Sequence, residues 1–200
     1  MKRLMRSCVW IIAALALLGA VPAAKIQSMI AKPTVLCGRF EQTKQLVGLK
    51  KPVKSSGRFC VLAEKGVLWR SERPFANTIK LTRDEIVQLQ GERVAMRLEA
   101  KKEPTVRMIN SVLFALLAGD LDQLEKLFEI DGDVNHQSWH VTLKPRTAAL
   151  ARAIGTITLD GAEYVKNIAI NESSGDRTSI VFSAIQTGDG AMTVDEAALF

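Results

Sequence analysis

Two histidines, His136 and His140, stand four residues apart, with Asp131 and Asp133 just upstream. On a helix that spacing would turn both imidazoles to one face, as zinc sites require. The neighbours argue for a strand instead, because Trp139, Val141 and Leu143 alternate with polar residues. In a strand, positions i and i+4 lie roughly 13 Å apart, whereas zinc ligands each lie about 2 Å from the ion. Serine chemistry has no better support. Ser55-Ser56-Gly57 reads as a hairpin exit, and the chain has no G-x-S-x-G elbow to place a nucleophile on a strand-to-helix turn. Neither a Walker A loop nor G-x-G-x-x-G occurs, and Gly188-Asp189-Gly190 is a turn. The residues therefore predict no enzyme, no metal site and no cofactor.

The cysteines point to structure rather than catalysis. Lys2, Arg3 and Arg6 precede an apolar run, Val9–Ala20, and Val21-Pro22-Ala23 supplies small residues for cleavage. That order is a secretory leader over 1–23, leaving one domain over 24–200. The run is shorter than the roughly 20 residues a membrane span needs. Cys8 lies before it, so no lipid-modified N-terminus is expected. Export leaves Cys37 and Cys60 where a disulfide persists. If Leu36–Val47 and Lys54–Ala63 pair as a hairpin, Cys37 falls opposite Cys60 and Phe40 opposite Gly57. A structural disulfide and two buried free thiols both fit that register.

Charge narrows the partners. The chain carries 27 − 21 = +6, and loss of three basic leader residues leaves 24 − 21 = +3. Nucleic-acid binding wants a concentrated basic stripe, and here the bases are scattered among acids, so no nucleic-acid partner is expected. Lys44–Lys54, with four lysines and no acid, reads as a solvated hairpin tip that resists edge pairing.

The elements that must position these residues follow from periodicity. Ile26–Ala31 reads as a short helix stopped by Pro33. Strands follow at Leu36–Val47, Lys54–Ala63, Val67–Ser71, Thr78–Thr82, Glu85–Gln90 and Arg93–Glu99. The period then changes. Met108, Val112, Leu113, Leu116 and Leu117 recur at helical spacing up to Gly119. Asp120 caps a second helix whose Leu121, Leu124, Leu127 and Phe128 share a face. Strands resume at Ser138–Leu143, Ile154–Leu159, Glu163–Asn171 and Arg177–Ala184, with a helical turn at Thr147–Arg152. Short gaps favour antiparallel neighbours. The expected fold is α+β: a strongly curved, mostly antiparallel sheet with helices against its concave side.

Several segments in this order carry a family resemblance. Gly38-Arg39-Phe40-Glu41-Gln42 is followed by Ser55-Ser56-Gly57-Arg58-Phe59, then Gly66-Val67-Leu68-Trp69 and Arg73-Pro74. Downstream come Leu116-Leu117-x-Gly119-Asp120, Trp139-x-Val141-x-Leu143-x-Pro145 and Gly175-Asp176-x-Thr178-x-Ile180-x-Phe182. Together they resemble the LolA-like outer-membrane lipoprotein carriers over nearly the whole mature chain.

The resemblance implies an unclosed β-barrel with a helical lid over a hydrophobic cavity. It implies a monomeric periplasmic carrier in a Gram-negative bacterium, taking acylated lipoprotein or lipid cargo from an inner-membrane releasing or export complex to an outer-membrane acceptor. The cavity candidates are Phe40, Phe59, Trp69, Phe75 and Trp139 from the sheet. Val112, Leu113, Leu116, Leu117, Leu121 and Leu124 are the candidates from the lid. The family's lid-holding arginine falls near Leu62 or Ala63, leaving Arg58 or Arg70 to substitute from elsewhere. The chain also stops at Phe200, where longer members continue. Both departures keep two alternatives open: a LolA-like accessory of a glycolipid, lipid or aryl-polyene export system, and a non-carrier interaction module.

Overall fold

The computed structural model describes residues 23–63, 65–91 and 93–200. Nearly all of the expected leader, 1–23, lies outside these residues. Eleven strands among them form one antiparallel sheet in the order β6-β5-β4-β3-β2-β1-β11-β10-β9-β8-β7. The first six are β1 (Val35–Gln45), β2 (Val53–Leu62), β3 (Gly66–Arg73), β4 (Asn77–Leu81), β5 (Glu85–Gln90) and β6 (Arg93–Glu99). The last five are β7 (Phe128–Asn135), β8 (Ser138–Pro145), β9 (Thr156–Gly161), β10 (Val165–Asn171) and β11 (Arg177–Thr187). Every neighbour is consecutive in sequence except β1 and β11, which pair at the centre. The sheet is thus two meanders joined by their first and last strands, with β6 and β7 as unpaired edges.

Helix α2 (Pro104–Ala118) and helix α3 (Leu121–Glu125) form the connection between those edges. Gly119 ends α2 with φ 63°, a left-handed conformation, and its N–H caps the Ala115 and Leu116 carbonyls. The side chain of Asp120 accepts from the Gln123 N–H and starts α3. Helix α1 (Ala23–Met29) packs against α3 and β7, whereas α4 (Ala148–Ala153) lies beside β8.

One strand departs from the sequence expectation. The second helix stops at Glu125, and Phe128, expected on its apolar face, opens β7 instead. The cause is a period of two: Phe128, Ile130 and Val134 turn toward the core between Glu129, Asp131 and Asp133. Gly132 completes that inward row without a side chain. A Cβ there would come within 2.9 Å of Ile26 Cδ1, so the glycine lets α1 seat Ile26 fully buried on the sheet.

Alternation divides the central strands between two cores. Leu36, Phe40, Phe59, Val61 and Val67 join the main core with residues of α1, α2 and α3. Val35, Cys37, Cys60 and Leu68 point the other way and form a second cluster with Ala191, Leu199 and Phe200. The C-terminal segment, including α5 (Val194–Ala197), covers that second face. Cys37 and Cys60 are register partners joined by a disulfide, with Cα atoms 4.0 Å apart. Phe40 faces Gly57 three pairs further along.

Candidate functional site

The middle of the sheet is filled. Phe40 stacks on Trp69 with ring centroids 3.8 Å apart, and Phe59 lies 4.7 Å from Phe182. Phe182, absent from the cavity candidates, pairs with Phe40 across β1 and β11 and completes an aromatic stripe over four strands. Trp139 is buried and donates its indole N–H to the Ala162 carbonyl at 2.6 Å. Val112, Leu116, Leu121 and Leu124 are buried in the same core, and Leu113 packs against it half-buried. These residues pack the interior and none lines the larger cavity, although Trp139 edges a smaller, more polar one between β7, β8, β9 and β10.

Phe75 requires a correction. It stands 80 % exposed in the loop between β3 and β4, away from the core and from the cavity beside α2. Pro74 interrupts the strand just before it, so the alternation that would turn it inward is lost.

The open volume lies at one end of the sheet. A cavity of about 950 Å³ sits beside α2, bounded by the α1–β1 connection, the start of β1, the end of β2 and the β4–β5 loop. Ile30, Leu36, Val61, Phe114, Leu117 and Leu127 give it apolar wall. Leu117 alone among the eleven candidates reaches it. The α2 residues that the sequence reading missed are Arg107, Asn110, Ser111, Phe114, Ala115 and Ala118. Their spacing of i, i+3, i+4, i+7, i+8 and i+11 marks a second helix face beside the strongly apolar one, and that was the available signal.

Polar groups gather at the same end. Lys32, Arg83, Lys101, Arg107 and Lys126 line the cavity, against Asp84 and Asp120. Asn110 is 2 % exposed; its side-chain N–H donates to the Thr82 carbonyl at 3.0 Å, and its Oδ1 has no partner. With the Arg107 guanidinium donating to the Ala100 carbonyl at 3.2 Å, this bond ties α2 to the loops around the opening. At the far end of α2, the Leu121 N–H donates to Gln27 Oε1 at 2.6 Å and joins α3 to α1. Arg58 plays no part here. It bonds Glu196 and the Ala191 carbonyl on the opposite face, and its register partner Arg70 shares that face.

The two histidines stand on different elements. His136 sits in the β7–β8 turn with φ 54°, while His140 on β8 meets Asp160 at 2.7 Å on the sheet surface. Among the described residues, only Cys37, Cys60 and Glu196 gather as three metal-ligand types. The two sulfurs are bonded to each other, so they are not thiolate ligands. Burial pushes the Glu196 carboxyl up, but Arg58 and the Thr193 N–H outweigh it and hold the group below the usual carboxylate range.

An open antiparallel sheet with α1, α2 and α3 on one face and a mainly apolar cavity at one end defines a fold of the unclosed-barrel class. The family model for outer membrane lipoprotein carrier protein LolA-like matches residues 15–199, and the chain belongs to that LolA-like family. A LolA superfamily protein from Nitrosomonas europaea is 7 % identical, with 86 % of this chain and 96 % of that one covered, at a TM-score of 0.42. A DUF1329 family protein from Desulfovibrio piger is 10 % identical, with 84 % and 91 % covered, at a TM-score of 0.50. A chain of the Pseudomonas aeruginosa MucA/MucB complex is 13 % identical, with 88 % and 60 % covered, at a TM-score of 0.41. No curated protein matches the chain. Among the described residues, no helix is long and apolar enough to cross a membrane.

Proposed function

We propose that this protein is an exported periplasmic carrier that shields the acyl chain of a lipoprotein or lipid between inner and outer membranes. The observation that carries this reading is the cavity of about 950 Å³ with Phe114 and Leu117 of α2 in its wall. Its size falls at the upper end of the roughly 300–1,000 Å³ typical of ligand pockets. Each acyl CH₂ left in water costs about 0.8 kcal/mol, so a free lipid anchor needs such a shelter to cross an aqueous space. A carrier must also release its load, which favours a roomy apolar wall over a dense set of hydrogen bonds.

Helix α2 acts as the movable wall. Val112, Ala115 and Leu116 hold it on the core, and the bonds from Asn110 and Arg107 hold it at the opening. An inner-membrane releasing complex and an outer-membrane acceptor are the partners this role requires. Membership in the LolA-like family supports it.

Titration with a fluorescent acyl probe tests this reading. Leu117→Glu and Phe114→Glu place a charge in the wall and are expected to weaken probe binding at least about tenfold, since burying an unpaired carboxylate is costly. Undiminished binding in both folded variants would refute the assignment of the cavity.

A further inference from the structure

The charges around the cavity are lopsided. Five basic residues from four separate segments line it: Lys32 before β1, Arg83 between β4 and β5, Lys101 before α2 with Arg107 on it, and Lys126 after α3. Among the described residues two acids, Asp84 and Asp120, stand against them, for a local balance of 5 − 2 = +3. Asp120 is further engaged in capping α3. Among the described residues, the ion pairs are Arg39–Glu72, Lys44–Glu172, Arg58–Glu196, Arg97–Glu85, Lys102–Glu99 and His140–Asp160, so none of the five cavity bases takes part. Arg107 and Lys126 donate to a carbonyl and an amide oxygen, which leave their charges unbalanced.

Asn110 adds an independent pointer. It is nine-tenths buried and more, lines the same cavity, and has its Nδ2 committed to the Thr82 carbonyl. That bond fixes the amide orientation and leaves Oδ1 as an acceptor without a donor. A buried unsatisfied acceptor is uncommon, and because this oxygen is sealed from solvent, a ligand hydroxyl or amide N–H meets it only once the α2 wall shifts.

We propose that the cavity selects acyl amphiphiles with an anionic phosphate headgroup and a hydroxyl or amide donor beside it. This rests on the carrier reading and deepens it by naming the cargo class. The acyl chain lies along Phe114, Leu117 and Val61, the donor meets Asn110 Oδ1, and the phosphate is held at the opening by Arg83, Lys101 and Arg107. Guanidinium groups suit phosphate because their planar N–H donors match its oxygens. Lipoprotein anchors carry no such phosphate on their acylated end, so headgroup charge separates this cargo from a lipoprotein.

Competition against a bound fluorescent fatty-acyl probe tests the proposal with three unlabelled ligands: 1-palmitoylglycerol phosphate, 1-palmitoylglycerol and inorganic phosphate. Exposed charge pairs each contribute about 1.5- to 5-fold, so three predict that the phosphate lipid displaces the probe on the order of tenfold better than the uncharged glyceride. Raised salt should shrink that advantage by screening. Arg83→Gln with Lys101→Gln, both at exposed positions, should reduce it to about threefold or less. Equal displacement by both lipids would overturn the headgroup proposal and leave the carrier reading standing. Displacement by inorganic phosphate at the same concentration would overturn the lipid as the source of the anion. Failure of both lipids together with the probe would remove the carrier reading itself.

Discussion

Phe40 stacks on Trp69 at 3.8 Å although strand β2 runs between their strands. The contact exists because Phe40 faces Gly57, which has no side chain to intervene. With Phe59 and Phe182 the two rings fill the centre of the sheet, so the aromatic stripe is packing and the open volume is displaced to the end beside α2. Phe40→Ala is therefore expected to cost about 3–5 kcal/mol of stability. Denaturant unfolding would register that loss, while acyl-probe affinity of the folded fraction stays near wild type. A matching loss of probe affinity would mean the stripe lines the binding volume after all.

The disulfide between Cys37 and Cys60 closes a loop of 23 residues at the sheet centre. Loop-closure entropy for that length predicts about 3 kcal/mol of stabilisation. A Cys37→Ala, Cys60→Ala double variant should show a correspondingly lower urea midpoint, and reductant should move the wild type but not the variant. Identical midpoints with and without reductant would contradict a structural role.

Glu196 links the C-terminal segment to the sheet. Its Oε1 accepts from the Arg58 Nε–H at 2.7 Å and its Oε2 from the Thr193 N–H at 2.9 Å. Because the folded carboxyl titrates below its ordinary range, its stabilisation is present above that range. It is lost as pH falls through the ordinary range toward the folded value. Glu196→Gln should lower stability at neutral pH by about 1.5–3 kcal/mol, and the gap to wild type should close on acidification. Thermal unfolding followed from neutral to acidic pH checks this; a gap independent of pH would contradict it.

Phe75 provides the opposite expectation. Fully outside the core in a loop, it should tolerate Phe75→Ser with a change within about ±0.5 kcal/mol and unchanged probe binding. A variant that unfolds, or that loses the probe, would show that the loop packs in solution.

Much of the architecture was legible because two periods govern it. The Cys37–Cys60 and Phe40–Gly57 pairings follow from one hairpin register, since a strand slipped by one residue would turn every core side chain to the wrong face. Gly119 marked the end of α2 for a backbone reason that no other common residue meets as readily. Strand β7 was missed because Leu121, Leu124, Leu127 and Phe128 also satisfy a helical pattern, and pairing with β8 decides the matter only in three dimensions. The cavity was largely illegible. Strong hydrophobicity marks residues that pack completely, as Val112, Leu116 and Leu124 do, whereas a ligand wall mixes Phe114 and Leu117 with Asn110 and Arg107. The Thr193–Glu196 capping box was readable from its spacing, but its burial against Arg58 was not.

Native mass spectrometry of the full chain, exported and recovered gently from the periplasm, tests the central claim most directly. The carrier account predicts a population whose mass exceeds the protein alone by an acyl-bearing ligand, and predicts its loss in Leu117→Glu with the fold intact by circular dichroism. Protein found only at its own mass, and remaining so after incubation with long-chain acyl ligands, would contradict the account.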